Sequence, residues 1–135
     1  MISPLVEFSQ KTYTQKAMDG CIFCEVISGE LPSKKVFEDD EILAFYDIHP
    51  KAPVHVIIVS KKHLKGISEA TRDDQALLGK IQLVASQIAK DLKISEAFKL
   101  TTNNGEGAGQ VIPHLHYHLI GGWNSKKDVV SELGL

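Results

Sequence analysis

The sequence predicts one α+β domain built on a mostly antiparallel, five-stranded sheet. Short β-branched or alternating segments, separated by turn residues, recur along the chain and are typical of strands. One long segment has apolar residues at intervals of three and four, as an amphipathic helix does. The length of 135 residues suits a single domain with a real core. We expect the domain to cover residues 19–135, with residues 1–18 as an N-terminal extension.

Two helices are predicted. The segment CIFCEVISGE has apolar residues at helical spacing before Gly29, a natural stop, and predicts a short N-terminal helix. The long helix is predicted to begin near Thr71, whose side chain suits an N-cap, and to run to about Leu92. Its apolar stripe consists of Leu77, Leu78, Ile81, Val84, Ala85 and Ile88.

Five segments predict the strands of the sheet. KKVFED and EILAFYDI are joined by an acidic turn at Asp39 and Asp40. VHVIIVS is β-branched and largely apolar, which is typical of a buried strand. AFKLTTN and HLHYHLIG follow the long helix, and the glycine-rich loop NGEGAGQ separates them.

Composition excludes several classes of protein. Hydrophobic residues make up 43% and charged residues 24%, and the net charge of -2 gives no reason to expect binding to nucleic acid or an anionic membrane. No apolar run approaches the ~18 residues of a membrane helix. The first residues lack a basic head followed by an apolar run, so no secretory signal is predicted. The expected location is cytoplasmic.

The C-terminal segment PHLHYHLIGG contains three alternating histidines, His114, His116 and His118. In a strand these side chains share one face at roughly 7 Å spacing, and the apolar residues between them take the other face. A plain exposed strand would alternate in the same way, although Thr, Lys, Glu or Ser would be its usual polar residues. Two chemical roles are open: metal ligation, and phosphoryl or nucleotidyl transfer with neutral imidazole as the nucleophile.

The loop before this strand favours the second role. NNGEGAGQ has three glycines in eight residues, so its backbone can approach a ligand closely and turn N–H groups toward an anion. Alone, such a loop is an ordinary tight turn. Directly before three histidines, it is suited to hold phosphate oxygens beside a nucleophile.

The segment HLHYHLI resembles the alternating signature of the histidine triad (HIT) superfamily. CIFCEVISGELPSKKVFEDDEILAFYDIHPKAPVHVIIVSKKH is similar to the N-terminal half of its histidine triad nucleotide-binding (HINT) branch, and the similarity runs from about Asp19 to Trp123. The resemblance implies the HIT-like α+β fold, joined across a homodimer. It also implies a purine nucleoside phosphoramidase that cleaves P–N bonds and releases AMP or GMP without a catalytic cofactor.

The same resemblance implies residue roles. His116 would attack the α-phosphorus to form a nucleotidyl-histidine intermediate, and His118 would stabilise the phosphate. His114 and His55 would orient the catalytic strand, and Asp47 would bind the ribose hydroxyls. The implied base slot consists of Phe23, Val26, Phe45 and Ile48, and the implied phosphate loop contributes Asn103, Gly109 and Gln110.

Two residues depart from the pattern of the branch. Val111 stands where the branch commonly has a serine that donates a hydrogen bond toward the leaving group. A valine cannot donate, so this position motivates the alternative of a nucleotide-binding module without enzymatic activity. Pro113 has no N–H and predicts a strand start or edge at that point. His63 is interpreted as a surface residue or a structural cap.

The Cys-x-x-Cys pair, Cys21 and Cys24, leaves a metal site open. By resemblance, the pair with His55 and His114 would form a closed Cys₂His₂ set for structural zinc. The alternative is two small buried residues on a short helix. A zinc-binding adaptor on the same fold is therefore a further possible function.

Overall fold

The structure, a computed structural model, describes residues 20–129. The predicted extension over residues 1–18 and the last residues of the chain, 130–135, lie outside the described range. In chain order the helices are α1 (Ile22–Ser28) and α2 (Gln75–Asp91). The strands are β1 (Lys35–Glu38), β2 (Ile42–Tyr46), β3 (Val54–Ser60), β4 (Phe98–Thr101) and β5 (His116–Gly121).

All five strands pair antiparallel in one sheet of order β1-β2-β3-β5-β4. This confirms the predicted fold class. The central strand β3 lies between β2 and β5 and is buried along nearly its whole length, as its β-branched sequence predicts. His55 on β3 and His116 and His118 on β5 therefore lie in the interior of the sheet and not at an edge.

The two faces of the sheet carry different layers. Helix α2 covers one face with Ile81, Ala85 and Ile88, which pack on Ile58 and Leu119 of the sheet. The other face carries α1 near β2 and β3. The cluster there consists of Cys21, Phe23, Cys24, Val26, Leu43, Phe45, Ile57 and Val59.

Local signals explain where both helices begin and end. Gly29 ends α1 in the left-handed conformation with φ of 92°, which a glycine adopts without steric cost. Before α2, Thr71 Oγ1 accepts from the N–H of Asp73, and the Asp74 carboxylate accepts from the N–H of Thr71. Thr71 is an N-cap as predicted, but it caps a short 3₁₀ turn over Arg72–Asp74, and the α-helix itself begins at Gln75, four residues after the predicted start.

The last strand is shorter than its sequence predicts, because β5 begins at His116 and not at His114. Pro113 cannot donate to a ladder, and the N–H of Leu115 donates to the Leu64 carbonyl at 2.6 Å instead of to a strand. The prediction that the strand includes His114 is therefore wrong, although the His114 ring still lies on the α1 side of the sheet, where it contacts Phe23 as His116 does. Within residues 20–129, no helix is both long and apolar enough to cross a membrane.

Candidate active site

Pairing between β3 and β5 fixes the positions of two histidines. His116 stands opposite Val59, and His118 stands opposite Ile57. Side chains of directly opposed residues lie on the same face, so both imidazoles project toward the layer that contains α1. Their ring centroids are 5.1 Å apart, and the Phe23 ring of α1 lies 4.8 Å from His116 in an edge-to-face arrangement.

The hydrogen bond of His116 determines which of its nitrogens is free. Nδ1 lies 2.7 Å from the carbonyl oxygen of His114. A carbonyl oxygen only accepts, so Nδ1 carries the hydrogen and the neutral ring keeps its lone pair on Nε2. His116 also lines a cavity on this face, and no side chain or backbone group of residues 20–129 forms a hydrogen bond with its Nε2.

A chain of hydrogen bonds gives His118 the opposite role. The N–H of Lys51 donates to Nδ1 of His55 at 3.0 Å, so the hydrogen of neutral His55 is on Nε2. That Nε2–H donates to Nδ1 of His118 at 2.9 Å, and Asp47 Oδ2 lies 3.4 Å from the same His55 nitrogen. His118 therefore accepts at Nδ1 and keeps a hydrogen on Nε2. It can donate to a ligand oxygen beside the lone pair of His116.

The surroundings keep these rings neutral near pH 7. Burial lowers the pKa of His116, while the His114 carbonyl and the Asp47 carboxylate oppose that shift. Burial, with smaller contributions from His116, His55 and Lys51, lowers the pKa of His118 to about 4 against the opposing carboxylate of Asp47. Burial lowers the pKa of His55 against the same carboxylate. Neutral imidazoles at His116 and His118 are therefore both present at physiological pH.

A cavity of about 530 Å³ opens in front of the two histidines. Its size falls within the ~300–1,000 Å³ typical of small-molecule sites. Phe23, Val26 and Phe45 form buried apolar walls, as the base slot requires. Ile48, the fourth predicted slot residue, is 85% exposed and lies at the rim. The cavity thus combines an apolar wall with a polar end where phosphorus chemistry could occur.

The polar end brings together most of the other predicted residues. Asp47, Asn103 and Gly109 line the same cavity. Asp47 also caps the following turn, since its Oδ1 accepts from the N–H of His49 at 2.7 Å, while Oδ2 remains directed toward His55. The structure places Gln110 differently. Its side-chain amide forms hydrogen bonds with the backbone of Lys65, Gly105 and Ile112, and it lines a neighbouring cavity.

The first histidine of the motif belongs to a separate buried cluster. His114 Nδ1 lies 3.3 Å from Cys21 Sγ and 3.5 Å from Cys24 Sγ, and His63 Nδ1 lies 3.4 Å from Cys24 Sγ. All four ligand atoms are within 4.8 Å of one another. The predicted ligand set is thereby corrected: His63, interpreted above as a surface residue or cap, takes the place of His55. His55 is instead part of the pocket with Asp47 and His118.

This cluster, Cys21, Cys24, His63 and His114, fits a tetrahedral metal. Two thiols and two imidazoles are a donor set that structural Zn²⁺ sites use. Nε2–H of His114 donates to the Ser60 carbonyl at 2.7 Å, which leaves Nδ1 facing the sulfurs. Burial lowers the pKa of His114 to about 4, so this ring is a neutral ligand. Burial raises the pKa of the Cys24 thiol, and the hydrogen bond with Cys21 adds to that shift.

Sequence reasoning missed His63 and several residues of the cavity lining. His63 lies three residues beyond the end of β3, and its contact with Cys24 joins segments far apart in the chain, so no local signal in the sequence identifies it as a ligand. Ile57, Ile112 and Ser33 also line the cavity and were not predicted. Ile57 could have been found from strand alternation, because it shares the face of His55.

Fold and site together define a histidine-cluster protein with a nucleotide-sized cavity on an antiparallel sheet. The model of the HIT domain family matches residues 28–125, and the chain belongs to that family. An uncharacterised HIT-like protein of Synechocystis is 48% identical over 101 residues, which cover 75% of this chain and 89% of the relative.

Solved structures show the same fold. A HIT family hydrolase from Clostridium thermocellum superposes with a TM-score of 0.76 at 43% identity, covering 78% of this chain and 93% of that one. A histidine triad nucleotide-binding protein from Candida albicans superposes with a TM-score of 0.68 at 33% identity, covering 85% and 90%. The predicted superfamily is thereby confirmed, and the HINT branch stays a prediction.

Proposed function

We propose that this chain is a nucleotide hydrolase that cleaves the P–N bond of purine nucleoside phosphoramidates and releases AMP or GMP. The observation that supports this most strongly is the tautomer of His116. Its Nδ1–H is bound to the His114 carbonyl, so the lone pair of Nε2 is free in a cavity of nucleotide size. The names of the related hydrolase and nucleotide-binding structures agree with this class.

The reaction proceeds in two displacements at one phosphorus atom. Nε2 of His116 forms a bond to the α-phosphorus, the P–N bond of the substrate breaks, and the leaving amine takes a proton from a water molecule, which becomes hydroxide. Hydroxide then attacks the phosphorus of the nucleotidyl-histidine, the bond from phosphorus to Nε2 breaks, and Nε2 recovers its lone pair as the nucleoside monophosphate departs. Throughout, Nε2–H of His118 donates to a non-bridging phosphate oxygen, where negative charge increases in the transition state.

Other cavity residues orient the nucleotide. Asp47 Oδ2 accepts hydrogen bonds from the ribose hydroxyls, and it is a partly exposed carboxylate with one oxygen not used by the turn. Phe23 and Phe45 pack against the base, and their rings already lie edge to face with centroids 5.9 Å apart. The loop at Asn103 and Gly109 lies beside the phosphate.

Trapping the covalent intermediate tests this proposal. Adenosine 5′-phosphoramidate labelled at phosphorus, quenched in alkali within milliseconds to seconds, is expected to leave label on the peptide that contains His116. The His116→Ala protein is expected to retain none, and His49→Ala, an exposed histidine at the rim, is the matched control. Label on the His116→Ala protein would contradict the assignment of the nucleophile.

The alternative of a binding module without turnover has one supporting observation, the missing donor at Val111. Saturable AMP binding, with no hydrolysis of any phosphoramidate in a panel of amine leaving groups, would favour that alternative. A zinc-binding adaptor would neither hydrolyse a phosphoramidate nor bind AMP. Measurements of AMP binding and of phosphoramidate hydrolysis therefore separate the three functions.

We also propose that the cluster of Cys21, Cys24, His63 and His114 holds a structural zinc ion. All four ligand positions are provided by the chain, so no coordination site is left for a reacting water. The ion, when bound, would tie α1 to the segments that follow β3 and precede β5. It takes no part in the displacement at phosphorus.

A homodimer, implied by the resemblance, stays a proposal. Strand β4 is an edge of the sheet, and an edge strand has backbone groups able to pair with a second copy. Sedimentation equilibrium is expected to give twice the mass of one chain. A single-chain mass at micromolar concentration would exclude this assembly.

A further inference from the structure

Two side-chain amides fasten the glycine-rich loop to the segment that follows β3. Here the glycine-rich loop means residues 103–111, and the anchor segment means residues 64–67, which follow β3. Asn104 Oδ1 accepts from the N–H of Ile67 at 2.6 Å. Gln110 Nε2 donates to the Lys65 carbonyl at 2.7 Å. The loop is therefore held to the anchor segment near both of its ends.

Gln110 also closes the loop upon itself. Its Oε1 accepts from the N–H of Gly105 at 2.7 Å, and its Nε2 donates a second time, to the Ile112 carbonyl at 3.0 Å. One amide thus uses three hydrogen bonds to join the start of the loop, its end and the anchor segment. A side chain so fully occupied has a positioning role and does not contact the phosphate directly.

Gly66 allows the close approach of Asn104. Its backbone is extended, with φ of -175° and ψ of -172°, which any residue can adopt. Space is what requires glycine: a Cβ at this position would lie 2.6 Å from Asn104 Oδ1, the same atom that binds Ile67. Because that atom is the end of a side chain, a methyl group would turn Asn104 away without disrupting the backbone.

We propose that Asn104, Gln110 and Gly66 form a latch that holds the glycine-rich loop in its phosphate-binding conformation before the nucleotide arrives. This inference rests on the proposed function, because it assigns the loop to the phosphate. Three glycines make the loop costly to order, and the latch supplies that order in the free protein. Without the latch, the entropy cost of ordering the loop would fall on nucleotide binding and would weaken it.

Gly66→Ala is the sharpest test, since it removes the contact of Asn104 while adding one methyl group. The expected result is a rise of about two- to tenfold in KM for adenosine 5′-phosphoramidate, the range for loss of one hydrogen bond. The value of kcat stays within about threefold, because the ordered loop is the same once substrate is bound. Gly79→Ala, on the exposed side of α2 and away from the loop and the cavity, is the matched control: a Cβ there meets open space, and KM should not change.

Amide hydrogen exchange of the free protein gives a second readout that does not depend on turnover. The amides of Ile67 and Gly105 are expected to exchange faster in Gly66→Ala and Asn104→Ala than in the Gly79→Ala control. Asn104→Asp keeps an oxygen acceptor and should restore slow exchange of Ile67. Equal exchange and equal KM in Gly66→Ala and Gly79→Ala would overturn the latch.

The two proposals fail in different ways. If the wild-type protein hydrolyses no phosphoramidate, the proposed function fails, and the latch is then judged by exchange and by the Kd of AMP, which should rise in Gly66→Ala. If the wild-type protein is active and Gly66→Ala changes kcat alone, the latch is wrong and the proposed function stands.

Discussion

The two clusters that share the histidine motif differ in how many ring nitrogens they leave free. In the cysteine cluster, both nitrogens of His114 are directed at protein atoms, Nε2 at the Ser60 carbonyl and Nδ1 at the sulfurs, and the ring is fully buried. In the pocket, His116 commits Nδ1 to a backbone carbonyl and keeps Nε2 for the cavity.

This difference distinguishes His114, a proposed metal ligand, from His116, the proposed nucleophile, better than their spacing in the sequence does. His114 and His116 are two residues apart and are alike in residue type, charge and burial. Only the partners of their nitrogens distinguish them. The comparison teaches that a histidine able to act on substrate needs one nitrogen fixed by the fold and the other unoccupied.

The largest expected effect is the loss of turnover in His116→Ala. Removing the lone pair of His116 Nε2 should lower kcat/KM by at least about a thousandfold. The protein should remain folded, with a lower midpoint of thermal unfolding, because the buried ring also loses its hydrogen bond to the His114 carbonyl and its edge-to-face contacts with Phe23 and His118. The measurement is steady-state hydrolysis of adenosine 5′-phosphoramidate beside a thermal melt. Turnover near the wild-type rate would remove the distinction between the clusters.

The cysteine cluster should show the reverse pattern in His63→Ala. Loss of a metal ligand is expected to lower zinc content well below one per chain and to reduce the free energy of unfolding by at least about 2 kcal/mol. His55→Ala is the matched control: it removes the other candidate ligand, but the structure places His55 in the pocket, so zinc should remain. The measurement is the zinc content per chain of each variant, purified without chelator. Loss of zinc in His55→Ala alone would restore the ligand set predicted from sequence.

The pH profile should show that the nucleophile is neutral. Burial lowers the pKa of His116 below its ordinary value of 6.5, and protonation would remove the attacking lone pair. The value of kcat/KM is therefore expected to be flat from pH 8 to about 6.5 and to fall only at more acidic pH. Phe23→Ala admits water to the ring and should move this fall toward pH 6.5. An acid limb already present above pH 7 would contradict the assignment.

Stability should respond to acid in the same direction. His116 and His118 have lowered pKa values in the folded protein, so the unfolded chain binds protons more tightly than the fold does. The free energy of unfolding is then expected to be constant above pH 6.5 and to decrease as pH falls from 6.5 toward 4. Urea titrations at several pH values measure it.

Local patterns were sufficient to predict the elements of the fold. The β-branched run of β3, the spacing along α2 and the stop at Gly29 each depend on neighbours in sequence, and the structure shows all three. The division of the histidine motif could not be predicted in the same way. It depends on the hydrogen bond from Leu115 to Leu64, a contact between segments far apart in the chain, which withdraws His114 from the strand.

The same reason explains the misplaced residues. The resemblance implies a place for Gln110 beside the phosphate, but its side-chain amide donates to the carbonyl of Lys65 on a distant segment. His63 was overlooked because nothing local to it indicates a ligand, and its partner Cys24 lies on α1. Residues whose role comes from tertiary pairing are the ones that single-sequence reasoning misses.

The smallest expected effect concerns Val111, which stands where the HINT branch commonly has a serine that donates a hydrogen bond. Val111 lines the cavity, is 87% exposed and cannot protonate a leaving amine. Val111→Ser would supply a hydroxyl there, and since outer donors contribute less than those on the reacting oxygen, kcat/KM should rise by no more than about tenfold. Val111→Ala, which removes the same methyl groups without adding a hydroxyl, is the matched control. The gain should grow with the basicity of the leaving amine and vanish for a p-nitrophenolate leaving group, which needs no proton. Equal rates for the two variants across that series would contradict this prediction. They would mean that water already protonates the leaving amine, so that the attack of His116 Nε2 on phosphorus limits the rate of P–N cleavage.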